Sequence, residues 1–137
     1  MLPGMETIEV ALDTSSRRVT DLTGHVMSFA GGKGDGLLHV FAPHATAGVA
    51  LMELGSGSES DLDELVERLL PRDARYTHRH GASGHGADHL LPLLVSPSLV
   101  LPVIEGRPAL GTWQRVVFID YNVDNPARRV RLSFVAG

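Results

Sequence analysis

The 137-residue sequence predicts a single α+β domain, mainly antiparallel sheet with two or three short helices. Three observations point there. The terminal RRVRLSFVAG alternates in period two, with Val130, Leu132 and Phe134 on one face and Arg131 and Ser133 on the other. Several apolar runs of strand length are bounded by turn residues. One segment, SESDLDELVERLLP, carries the clearest helical stripe.

In chain order, ETIEVAL (Glu6 to Leu12) alternates as a first strand. In SSRRVTDLTGHVMSFA the period changes. Leu22, Val26 and Phe29 fall at i, i+4 and i+7, Thr20 or Asp21 can cap, and Gly24 weakens the short helix. Gly31 to Gly36 form a turn without the flanking pattern of a phosphate loop. LLHVFAP is a continuous apolar run, which predicts a strand buried on both faces, and GVALMEL is the strand after it. The helix that follows has a stripe of Leu62, Leu65, Val66, Leu69 and Leu70, a capping box of Ser58 with Asp61, and a stop at Pro71. DHLLPLLV reads as a short helix capped by Asp88, with Pro92 in its first turn. SLVLPVIEG is a strand and turn. TWQRVVFIDYN and RRVRLSFVAG are strands joined by VDNPA.

A net charge of −4 gives no basic face to hold nucleic acid or an anionic membrane. With no cysteine, thiolate chemistry and disulfides are out, and histidine and carboxylate are left as the metal ligands. No apolar run approaches the roughly 20 residues of a membrane span. MLPGMETIEVAL lacks a basic region ahead of an apolar core, so no signal peptide is expected and the cytoplasm is the default location.

Chemistry concentrates in three places. YTHRHGASGHGADHL holds four of the seven histidines, His78, His80, His85 and His89, among Gly81, Gly84 and Gly86. Glycines let a loop wrap closely round a ligand. The spacing matches neither the HExxH helix nor the zinc-deaminase pattern. A metal site, a substrate loop and a histidine-rich surface all remain open on these residues alone. In APHATAGVALME, His44 follows one strand and Glu53 ends the next. RPALGTWQR supplies the sole tryptophan, Trp113, beside Gln114, with Gly111 allowing close backbone approach and Arg107 as a phosphate ligand or a solvated turn residue.

HATAGVALME, YTHRHGASGHGADHL, LVLPVIEGRPALGTWQ and RRVRLSFVAG together resemble the YjbQ-type family, in order, from about Glu6 to Gly137. His44, Glu53, Asp61, Pro71, Tyr76, His78, His89 and Gly111 to Gln114 occupy the positions of its pattern. The resemblance implies a compact β-sandwich, commonly a homotrimer. It also implies a weak thiamine-phosphate synthase activity, joining hydroxymethylpyrimidine diphosphate to thiazole phosphate. On that basis His44, His78 and His89 are the expected metal ligands, with Glu53 as general acid/base and Gln114 as a substrate donor. Thr46, Arg107, Thr112 and Trp113 are expected to contact a small phosphorylated metabolite. His44, His78 and His89 should converge on one site, next to Glu53 and within reach of Trp113 and Gln114.

Two departures bear on the metal. Met52 stands where the family has asparagine, and the histidine loop lacks the family's acidic residues, keeping only Asp88. Magnesium bound to a diphosphate needs such oxygens. The extra His80 and His85 favour zinc, with nickel or magnesium as alternatives. Metal-dependent hydrolysis of a phosphorylated metabolite and non-catalytic binding of a metal or metabolite are the competing functions.

Overall fold

The computed structural model describes residues 4–137; the first three residues of MLPGMETIEVAL lie outside it. Eight strands form two antiparallel sheets. The larger has the order β1-β8-β3-β5-β6, from β1 (Glu6–Asp13), β3 (Gly36–Phe41), β5 (Ser98–Ile104), β6 (Arg107–Pro108) and β8 (Ala127–Ala136). The smaller has the order β2-β7-β4, from β2 (Val19–Asp21), β4 (Ala47–Met52) and β7 (Arg115–Asp120). Two helices, α1 (Thr23–Ala30) and α2 (Ser58–Leu69), and two single turns, α3 (His85–Asp88) and α4 (Leu91–Leu94), complete the α+β domain.

Alternation decides the layers. Leu38 and Val40 of β3, Leu101 and Val103 of β5, and Val130, Leu132 and Phe134 of β8 point inward. They meet Val49, Val116 and Phe118 of the smaller sheet, and α1 closes the end with Leu22, Val26 and Phe29. The N-cap of that helix is Leu22 rather than Thr20 or Asp21, although the Asp21 carboxylate just before it accepts the Thr23 N–H at 2.9 Å. On the reverse face of the smaller sheet, Val117, Ile119 and Tyr121 pack against Val66 and Leu70 of the α2 end, Ala87 and Leu91. The order of layers is therefore large sheet, small sheet, helices.

This arrangement corrects three local expectations. The strand buried on both faces is β7, because it is the middle strand of the sheet that lies between the two cores; β3 exposes Leu37 and Phe41 on the outer face of the large sheet. The α2 stripe is narrower than its leucines suggest. Val66 and Leu70 are buried while Leu65 and Leu69 are exposed, and the N-cap is Gly57, with Glu59 accepting the Gly55 N–H at 2.8 Å. DHLLPLLV is two turns rather than one helix. Asp88 ends the first of them, and its side chain is taken by Arg72 and Asn122. No described helix is long and apolar enough to cross a membrane.

Candidate functional site

The chain from Pro71 to Leu90 folds back on itself at the end of the small sheet. Tyr76 starts the fold by donating its hydroxyl to the Pro71 carbonyl at 2.7 Å. Two glycines permit the close crossing. A Cβ on Gly86 would stand 2.6 Å from the His78 carbonyl oxygen. Gly81 takes a φ of +84°, and a Cβ there would press on the His85 ring at 2.7 Å. The result gathers all four imidazoles of the loop.

Ring centroids lie 4.0 Å apart for His78–His80, 4.1 Å for His78–His89, 4.6 Å for His85–His89 and 4.7 Å for His80–His85. His85 and His89 are four residues apart on one helical turn, where the His89 N–H meets the His85 carbonyl at 3.3 Å. Their Nε2 atoms face each other at 2.9 Å. Ligand-capable nitrogens of His78, His80 and His85 lie within 4.8 Å of one another. Residues including Asp73, Tyr76, His78, Arg79 and His80 line an open cavity of about 300 Å³ over the cluster.

Desolvation by the packed rings, then repulsion from His80 and His85, pulls the His78 pKa down. His89 is lowered for the same reasons, desolvation first and then His78, with Asp88 opposing. Both rings therefore favour the neutral form, the one that offers a lone pair to a metal. A second tier of polar groups supports the cluster. His85 Nδ1 is 2.7 Å from Asp124 Oδ2, and Asp124 accepts the Ala82 N–H at 3.1 Å. That N–H is the leading cause of the lowered Asp124 pKa. Asn122 donates to buried Asp88 at 3.0 Å, and Asp88 is held by the Arg72 guanidinium.

The expected site residues are distributed differently. His78 and His89 come together. His44 stands apart from them: its Nε2 lies 3.0 Å from both backbone groups of Arg129, and its ring sits edge-on to Phe118. Burial first, and the neighbouring Arg128 next, depress its pKa. Thr46 is committed to structure, accepting a 2.6 Å bond from Arg128, whose guanidinium pairs with buried Asp120 at 2.7 Å. Glu53 follows β4 at the end where Met52 faces Arg115, whereas Ala47 and Asp120 mark the end nearer the imidazoles. Six residues of strand separate those ends, about 17 Å at 3.3 Å per residue. Exposed Thr112, Trp113 and Gln114 precede Arg115 and so share the Glu53 end, with Gln114 accepting the Gly111 N–H at 2.8 Å. Arg107 is exposed in β6 at the edge of the large sheet. Within one chain, then, Glu53, Trp113 and Gln114 are not beside the imidazoles, because β4 and β7 hold them a strand's length away.

His80, His85 and Asp124 join the cluster from outside the expected ligand set of His44, His78 and His89. His85 had a signal, the i, i+4 spacing with His89, which puts both on one helical face. Asp124 had none, since its contact with His85 depends on where the β7–β8 turn lands.

The sequence profile of the "UPF0047 protein YjbQ-like" proteins matches residues 6–137. The chain belongs to that family. A UPF0047 protein of Mycobacterium tuberculosis H37Rv is 57% identical over 133 residues, covering 97% of this chain and 100% of that one. A hypothetical protein of Aeropyrum pernix K1 superposes with a TM-score of 0.84 at 33% identity, covering 96% of this chain and 99% of that one. A YbjQ-like protein of Sulfolobus solfataricus superposes at 0.88 with 19% identity, over 98% of this chain and 99% of that one, a likeness of fold alone. The β-rich α+β architecture is thus the family's own.

Proposed function

We propose that this family member is a small metabolic enzyme that holds a divalent metal on its imidazole cluster and acts on a phosphorylated metabolite. The observation that carries the reading is the convergence of His78, His80, His85 and His89, with the His85 and His89 Nε2 atoms 2.9 Å apart. Neighbouring ligands on one tetrahedral zinc, each at about 2.0–2.1 Å, stand at a similar or slightly larger spacing. The donor set fits zinc or nickel and fits magnesium poorly, since magnesium prefers oxygen. A bound metal would act as a Lewis acid toward a phosphoryl oxygen or a water. Arg79 lines the same cavity and offers a cation for a phosphate group.

Thiamine-phosphate synthesis is the reaction the family resemblance suggests, and we propose it as a weak activity, because the loop supplies few oxygens for a magnesium diphosphate. A catalytic role for Glu53 and Gln114 requires a neighbouring copy to deliver them, since within one chain they lie at the far end of β4 and β7. We therefore couple the catalytic reading to a homotrimer. A second reading, a non-catalytic metal or metabolite binder, is favoured by one observation. The carboxylates near the cluster are already engaged, Asp124 by His85 and Ala82, Asp88 by Arg72 and Asn122, and Asp73 by Arg75.

Elemental analysis of protein purified without an affinity tag, followed by steady-state assay on thiamine precursors and a phosphate-ester panel, tests both. Bound zinc or nickel with turnover that Glu53→Gln abolishes supports the enzyme. Bound metal without turnover supports the binder. Protein that takes up neither zinc nor nickel ends both readings of the cluster.

A further inference from the structure

We propose that His85 is a metal ligand of the cluster, and that Asp124 is its positioning residue, fixing the ring so that Nε2 faces the metal. This rests on the metal reading above and extends it to two residues that the family pattern does not mark.

The tautomer follows from donor inventory. An ionised carboxylate only accepts hydrogen bonds. Asp124 Oδ2 stands 2.7 Å from His85 Nδ1, closer than the Asn122 amide nitrogen at 3.2 Å, which donates to Asp88 at 3.0 Å; in the neutral ring Nδ1 therefore carries the proton and Nε2 keeps its lone pair. That lone pair is the group aimed at His89 Nε2, 2.9 Å away and one helical turn on. In the metal-free chain, the His89 N–H can occupy it. A ligating imidazole that donates its other nitrogen to a carboxylate is held in tautomer and in orientation, and is the more basic for it.

Asp124 is itself placed by structure rather than by chance. Its oxygens accept the Ala82 N–H at 3.1 Å, and its own N–H donates to Asn122 Oδ1 at 3.0 Å. Asn122 is buried and fixed through Nδ2 to Asp88. The carboxylate thus ties the β7–β8 turn to the glycine loop at the same point where it grips His85. A Cβ on Gly81 would come within 2.8 Å of Asp124 Oδ2, so the loop glycine leaves room for this contact. The expected ions are those that accept neutral imidazole, zinc, nickel and cobalt(II).

The rival account is that Asp124 merely staples the loop. Asp124→Asn separates the two, because the amide oxygen still accepts the Ala82 N–H while the charge is lost. His85→Asn is the second variant: its amide can still donate to Asp124 but offers no imidazole to a metal. Two measurements on the whole chain decide. Imidazole ¹⁵N NMR of the metal-free protein reads the His85 tautomer, expected as Nδ1–H in the native chain and mixed in Asp124→Asn. Zinc competition against a chromophoric chelator is expected to show affinity falling about 10–100-fold in Asp124→Asn, and at least as far in His85→Asn. Native zinc affinity in both variants, alongside lost affinity in His78→Gln and His89→Gln, overturns this inference and leaves the metal reading standing. A His85 ring that keeps the Nδ1–H form in Asp124→Asn also overturns the positioning role. A native chain that binds no zinc, nickel or cobalt sinks the metal reading itself.

Discussion

His78 and His89 occupy surroundings that disfavour the imidazolium ion, and the sign of the consequence is fixed. Well above the ordinary imidazole pKa, folded and unfolded chains are both neutral there, and pH has no leverage. Below it the unfolded chain binds protons that the folded cluster resists, so stability falls on acidification. Denaturant unfolding of metal-free protein between pH 7.5 and about 5 should show this loss, and His78→Gln should reduce it. A slope that is the same in both proteins counts against the assignment. Metal affinity should fall over the same range, since protons compete for the lone pairs. Elsewhere, Arg128 and Asp120 form an ion pair with almost no solvent contact, braced by Thr14 and Thr46. Asp120→Ala strands a buried guanidinium and should cost about 3–5 kcal/mol in urea titration; a cost within experimental error would show that water reaches the pair. At this scale the sequence was a partial guide. The crowding of imidazoles was visible, and so was the His85–His89 spacing. The commitment of Thr46 to Arg128 was not, because the two residues are 82 positions apart and meet only through the fold.

Most elements were legible because each carried its own period. β1, β8, α1 and α2 follow directly from alternation or from an i, i+4, i+7 stripe. What escaped was burial that depends on neighbours. LLHVFAP and VVFI look alike as apolar runs, yet β7 is covered on both faces and β3 on one. The loop from 71 to 90 was illegible as geometry, since its glycines announce freedom without saying which crossing they permit. Gly86 states the requirement most sharply. Gly86→Ala forces the His78 backbone away from a Cβ it would otherwise meet at 2.6 Å. A cost of about 1–3 kcal/mol is the usual range for such overpacking, and the disturbed register of His78 and His89 should weaken zinc binding beyond the stability loss. Zinc affinity at native strength in a folded Gly86→Ala protein would show that the loop adapts.

At the scale of the whole molecule, the outer face of the large sheet stays uncovered among the described residues. Leu37, Val100, Ile104 and Val135 are each 54% exposed, a broad apolar surface of the sort that marks an interface. The proposed homotrimer would cover it. Light scattering at micromolar concentration should give three times the 14.7 kDa chain mass, and Val100→Lys should shift it toward the monomer. A native chain already monomeric would refute the assembly. The position of β7 has a further consequence. Val116 and Phe118 belong to one core, Val117 and Ile119 to the other, and the same strand runs on into Asn122 and Asp124 beneath the imidazoles. Neither core can melt without baring one side of that strand, so the two are expected to break in a single transition. In amide exchange the strand's N–H groups should be the last to trade hydrogen for deuterium, opening only when the entire chain does. The imidazole cluster is moored to the slowest-opening part of the protein, while its own glycine loop should open freely above it.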